Sequence, residues 1–104
     1  MRLSQEQISQ FHLVLKSYWK LTPYKLYLYG SRTQDGLKGG DIDLVMITSD
    51  EGLKIFKKHE LELLVQIKKQ PAIGQRRIDF KAATESDLKT EPFLLAIADS
   101  LVEI

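Results

Sequence analysis

The strongest constraint on the fold is the way helical and strand-like segments alternate along only 104 residues. A capping box at Ser4 and Gln7, followed by apolar residues at helical spacing, predicts a first helix. The dipeptide Thr22-Pro23 ends this helix, because the residue before a proline disfavours α geometry. A segment over 25–29 that is rich in β-forming residues follows and predicts the first strand.

The rest of the chain repeats this alternation. The sequence predicts further strands over 42–47 and 76–82, a second helix over 53–69, a last helix over 91–99 and a short final strand over 101–104. Short strands interleaved with helices indicate an α+β or α/β domain in which helices cover a small sheet. The length and the hydrophobic fraction of 43% suit one core, so we expect a single domain over residues 1–104.

Composition excludes several classes of protein. The 15 basic and 14 acidic side chains leave a formal charge of +1, which disfavours direct binding to nucleic acid. The absence of cysteine excludes disulfides and thiolate metal sites, and two histidines leave little room for a multi-histidine site. No apolar run is long enough to cross a bilayer, and the first residues lack the apolar stretch of a signal peptide. We therefore expect a cytoplasmic protein with no membrane association.

The most informative stretch for function runs from the end of the first predicted strand to the start of the second. Asp41 and Asp43 are two residues apart on a strand, so their side chains project from the same face of the sheet. Two such close carboxylates repel one another unless a cation lies between them or one is protonated. Oxygen ligands without a nearby histidine favour Mg²⁺ or Mn²⁺ over Zn²⁺. For an isolated Asp-x-Asp, the alternative is a pair of solvated acids at the start of a strand.

A glycine–serine turn precedes this acidic pair. Gly30 allows the backbone to approach a ligand closely, and Ser31 is suited to cap a helix and to donate from its hydroxyl. A turn of this kind offers N–H groups to a phosphate, although an ordinary strand-to-helix turn would have the same sequence. Combined with the acidic pair, it predicts a phosphate cradle beside a metal site, which is the arrangement that metal-assisted phosphoryl or nucleotidyl transfer requires.

A third acid, Asp79, lies within the third predicted strand. It has two interpretations, because Arg77 and Lys81 share its face and could pair with a carboxylate that has no catalytic role. If the third strand lies beside the second, Asp79 joins Asp41 and Asp43, and three carboxylates can hold two divalent ions around a phosphate.

The succession Gly30-Ser31-Arg32, Asp41-Ile42-Asp43-Leu44 and Asp79 resembles the nucleotidyltransferase motif of the DNA polymerase β superfamily. The short chain is similar to a minimal nucleotidyltransferase (MNT) domain, the partner of HEPN-domain toxins. The resemblance extends from Tyr27 to about Phe80. It departs from the common form in two places: the run before Asp41 is one residue shorter, and Gly40 stands where serine is usual.

The resemblance implies a small mixed sheet flanked by helices, the polymerase β-like fold, with a nucleoside triphosphate bound beside two Mg²⁺ ions. Asp41 and Asp43 would bind both ions, and Asp79 would complete the site of one of them. Gly30 and Ser31 would hold the terminal phosphates, while Arg32 and Lys38 would supply positive charge. The implied reaction is transfer of a nucleoside monophosphate, AMP from ATP, to a hydroxyl of a HEPN-domain protein, as an antitoxin.

Two other functions stay open at this point. The first is a binding antitoxin that neutralises a HEPN partner by contact alone, without catalysis. The second is nucleotidyl transfer to a small molecule, for which relatives carry an additional substrate-binding domain. The base, the acceptor and the oligomeric state are not readable from the motif residues.

Overall fold

A computed structural model describes residues 3–29, 42–74 and 76–104 of the chain. The elements follow in the order α1 (Gln5–Trp19), β1 (Tyr24–Leu28), β2 (Ile42–Thr48), α2 (Asp50–Lys68), β3 (Ile78–Ala83), α3 (Glu85–Thr90), α4 (Pro92–Ile97), a 3₁₀ turn (Ala98–Ser100) and β4 (Val102–Glu103). This order confirms the expected alternation of short strands with helices.

Four strands form one mixed sheet in the order β3-β2-β1-β4. Strand β1 pairs antiparallel with β2 and with β4, whereas β2 and β3 are parallel neighbours joined through α2. The expected small mixed sheet flanked by helices is therefore confirmed. In the described part of the chain β3 pairs with β2 alone, so it is an edge strand.

The sheet is covered on both faces, and each face has its own apolar cluster. The larger cluster joins α1 and α2 to one face through fully buried side chains, among them Phe11, Trp19, Leu44 and Leu63. The smaller cluster packs α4 against the other face, with Leu94 contributing to it. Because successive strand residues alternate between faces, Asp43 in β2 and Asp79 in β3 belong to the face with the smaller cluster.

Side-chain caps set the starts of α1 and α2. The capping box predicted for α1 is present, since the Ser4 hydroxyl accepts from the Gln7 amide and the Gln7 side chain accepts from the Ser4 amide. The prediction that the second helix begins at residue 53 is wrong. Ser49 caps it by accepting from the Gly52 amide, so the helix begins at Asp50.

The segment after β3 differs most from the prediction. The sequence prediction had no helix over residues 85–90, yet α3 lies there behind a capping box made by Thr84 and Asp87. The last predicted helix is shorter than expected, because α4 ends at Ile97 and continues only as the 3₁₀ turn. No described helix is long and apolar enough to cross a membrane.

Gly52 lies where α2 crosses the end of α1, and we expect Gly52→Ala to destabilise the fold. An added Cβ would lie 2.8 Å from Trp19 Nε1 and closer still to Thr48 Oγ1, which is fixed by donating to the Pro23 carbonyl at 2.8 Å. Overpacking of this kind costs about 1–3 kcal/mol, more than the roughly 1 kcal/mol by which alanine favours a helix over glycine. Urea denaturation checks this, with the exposed neighbour Glu51→Ala as the control. An unchanged or higher midpoint for Gly52→Ala would contradict the packing account.

Candidate active site

The two described acids of the motif lie side by side on neighbouring strands. Asp43 in β2 and Asp79 in β3 are register partners in the parallel pair, and adjacent strands lie about 4.8 Å apart. Both residues are odd-numbered members of strands whose odd residues share one face, so the two side chains project from the same side of the sheet. The sequence placed Asp79 with the other acids only if the second and third strands are neighbours. The structure shows that β2 and β3 are neighbours.

Tyr29 extends this row onto a third strand. Its amide donates to the Asp43 carbonyl at 3.1 Å, which continues the antiparallel register of β1 and β2 by one residue. The side chain is buried at 6% exposure, and its hydroxyl donates to Asp79 Oδ2 over a long distance of 3.4 Å. Tyr29, Asp43 and Asp79 therefore form a row across β1, β2 and β3 at one end of the sheet.

Lys81 provides the positive charge at this row. Its ammonium donates to both carboxylate oxygens of Asp79, at 2.9 Å to Oδ1 and 3.0 Å to Oδ2. The ammonium also lies 5.3 Å from the centre of the Phe93 ring, over its face, and Phe93 packs edge-on against Tyr29. A lysine two residues after an acid on a strand shares its face, and the structure brings the two charges into contact.

Two side chains of this row have a raised pKa, which keeps Tyr29 neutral and Lys81 charged. Burial, together with the negative charges of Asp79 and Asp43, raises the pKa of Tyr29, and Lys81 partly opposes this. Tyr29 is therefore a neutral hydrogen-bond donor at physiological pH. The hydrogen bonds to Asp79 raise the pKa of Lys81 above its usual value, so this side chain is a cation at the same pH.

The donor atoms of the row suit a hard divalent cation. The structure describes two carboxylates here, Asp43 and Asp79, and Mg²⁺ is typically held by one or two carboxylates together with substrate phosphates and water. Within the described ranges no group of three or more acids, histidines or cysteines is close enough to hold a metal. The third acid of the motif, Asp41, lies outside those ranges.

The phosphate-binding part of the prediction also lies outside the described residues. Gly30, Ser31, Arg32 and Lys38 belong to it, and all precede Ile42, the first residue of β2. Their assignments stay predictions. Among the motif residues, the structure brings together Asp43 and Asp79.

Two cavities lie beside the sheet, and neither is lined by Asp43 or Asp79. The larger, about 580 Å³, lies at the opposite end of the sheet, where its lining includes Tyr24, Thr48 and Thr84. A second, about 460 Å³, runs beside the edge strand β3, and Lys81 and Phe93 are part of its wall. The larger cavity is remote from the carboxylates, and the smaller one is bordered by Lys81 but by neither acid. Charge and register, rather than cavity size, therefore identify the candidate active site.

Sequence reasoning noted Lys81 only as a residue on the face of Asp79, and it assigned no role to Tyr29. The period-two spacing of strand residues carried the signal for Lys81. For Tyr29 the signal was its position at the end of a strand next to the glycine–serine turn, but its contact with Asp79 depends on a strand order that no local pattern shows.

Comparison with protein families identifies the class of enzyme to which the chain belongs. The family model of the nucleotidyltransferase domain matches residues 8–102, nearly the whole chain. The chain belongs to this family. Comparisons with curated proteins and with solved structures returned no match. Membership in the nucleotidyltransferase family supports a transferase that moves a nucleotidyl group, and the resemblance to this superfamily drawn from the motif is confirmed at that level.

Proposed function

We propose that this nucleotidyltransferase transfers AMP from ATP to a hydroxyl of a partner protein in the cytoplasm, as the antitoxin of a HEPN-domain toxin. The observation that carries the proposal is the alignment of Asp43 and Asp79 on neighbouring strands, in a chain matched by the family model over residues 8–102. Two carboxylates on one sheet face supply the ligands that metal-assisted transfer needs.

In this proposal Asp41 and Asp43 hold two Mg²⁺ ions, for which Mn²⁺ can substitute, and Asp79 completes the site of one of them. When bound, these ions polarise the acceptor hydroxyl and neutralise the charge on the triphosphate. The acceptor oxygen forms a bond to the α-phosphorus as the bond from that phosphorus to the β-phosphate oxygen breaks. Pyrophosphate leaves with the electron pair, and the hydroxyl proton passes to water.

The remaining residues of the motif bind the nucleotide. Gly30 presents its backbone to the terminal phosphates, and Ser31 donates its hydroxyl to them. Arg32 and Lys38 balance the negative charge of the triphosphate, with the planar guanidinium of Arg32 suited to two parallel hydrogen bonds. Tyr29, which is not part of the motif, keeps the Asp79 carboxylate oriented by donating a hydrogen bond from its hydroxyl.

The test uses the purified protein, Mg²⁺ and the product of the adjacent gene, with ATP labelled on the α-phosphate or, in parallel, on the γ-phosphate. We expect label on the partner from the α-position alone, because pyrophosphate carries the γ-phosphate away. Chelation of Mg²⁺ is expected to abolish labelling. Label on a small acceptor would move the proposal to small-molecule transfer. A stable complex without any label would instead identify an antitoxin that acts by contact.

A further inference from the structure

The ammonium of Lys81 contacts both oxygen atoms through which Asp79 would bind a metal ion. It contacts both carboxylate oxygens, at 2.9 and 3.0 Å, so the two lone-pair directions that face it are taken. The Tyr29 hydroxyl lies near Oδ2 on the same carboxylate. A divalent cation that takes both oxygens of Asp79 from this side must therefore displace the lysine, and one that uses a remaining lone pair is repelled by the nearby ammonium.

The contacts of Lys81 favour this bound position without making it permanent. The ring of Phe93 lies beneath the ammonium at 5.3 Å and gives it a second favourable contact. The pair is partly open to solvent, since the side chains of Lys81 and Asp79 keep 42% and 50% of their exposure. Ion pairs of such exposure are weak, so a divalent ion can break this one.

We infer that Lys81 is an internal competitor for the divalent cation at Asp79, and that it sets the concentration of Mg²⁺ at which this carboxylate becomes a metal ligand. The inference rests on the proposed function, which makes Asp79 such a ligand. In this role Lys81 is a positioning residue: it holds Asp79 when no ion is present and releases it when one arrives.

Removing the positive charge should therefore tighten metal binding. We expect Lys81→Met to lower the dissociation constant for Mn²⁺ about fivefold, the effect of losing one partly exposed ion pair. Lys81→Gln should act in the same direction, and Lys81→Arg, which keeps the cation, should stay close to the parent protein. The Mg²⁺ concentration for half-maximal transfer should fall in parallel for Lys81→Met.

Mn²⁺ binding is measured on the full chain by electron paramagnetic resonance, which detects the free ion directly. Lys25→Met is the matched control, since Lys25 is an exposed lysine of β1 on the same sheet face, paired with Ile47 and far from the carboxylates. It removes the same charge and should leave the dissociation constant unchanged. Asp79→Asn should weaken binding in the parent protein and remove the effect of Lys81→Met.

Unchanged or weaker Mn²⁺ binding by both Lys81→Met and Lys81→Gln would overturn the inference. Metal-dependent labelling of a partner by the same preparations would then show that the proposed function survives. If no variant binds Mn²⁺ at all, the proposed function fails and the inference fails with it. An equal gain in Lys25→Met would also overturn the inference, because the effect would then reflect overall charge.

Discussion

Asp43→Asn is expected to lower the rate of nucleotidyl transfer about a thousandfold, because in the proposed mechanism this carboxylate holds metal ions that stabilise the transition state by several kcal/mol. Asparagine has nearly the shape of aspartate, and Asp43 is only half-buried, so the free energy of unfolding should change little. The measurement is the initial rate of label transfer from ATP labelled on the α-phosphate, together with a urea denaturation curve.

The control for this prediction is Asp99→Asn. Asp99 is an exposed acid in the 3₁₀ turn, so its substitution removes the same charge elsewhere and should leave the rate within a factor of about two. Transfer at the parental rate by Asp43→Asn would remove Asp43 from the mechanism. Loss of the fold in this variant would give the residue a structural role instead.

Trp19→Ala is expected to cost about 3–5 kcal/mol of folding free energy, the range for deleting a large buried aromatic side chain. Trp19 is the last residue of α1 and is 1% exposed. The Tyr24 ring packs against it edge-on. Small domains are stable by only about 5–15 kcal/mol, so this single change can remove much of the total. Since Trp19 is the only tryptophan, unfolding is followed by circular dichroism in urea rather than by fluorescence.

Trp19→Phe separates the two contributions of this side chain. The indole Nε1 is buried without a hydrogen-bond partner among the described residues, so phenylalanine loses packing volume but also removes an unsatisfied donor. We expect a net cost of about 1 kcal/mol, well below that of the alanine variant. Equal costs for the two variants would show that the indole N–H is satisfied in solution.

A local signal in the sequence predicted the start of α1, which depends on two side chains. This signal is the box at Ser4 and Gln7, whose two hydrogen bonds lie within four residues of one another. The same signal was overlooked at Thr84 and Asp87, where the helix that follows has only six residues and no buried side chain to give it apolar periodicity. Short exposed helices are visible in the sequence only through their caps.

The site was less accessible to sequence reasoning than the fold. The motif predicted that Asp43 and Asp79 could meet, but their alignment depends on how α2 packs on the sheet as it connects β2 to β3, and that packing is a property of the whole core. The contact between Lys81 and Asp79 also depends on the rotamers of the two side chains, and residue spacing does not predict rotamers. Long-range register and side-chain direction were therefore the parts that required a structure.

The most direct test of the central claim, that Asp43 and Asp79 form a metal site, is a titration of the 12.0 kDa protein with Mn²⁺ followed by nuclear magnetic resonance. The paramagnetic ion broadens the amide signals of nearby residues first. We predict that the signals of Asp43 and Asp79 disappear before those of Thr48 and Ala83, which end the same two strands. Broadening that begins at Thr48 and Ala83, or that is uniform along both strands, would contradict the assignment.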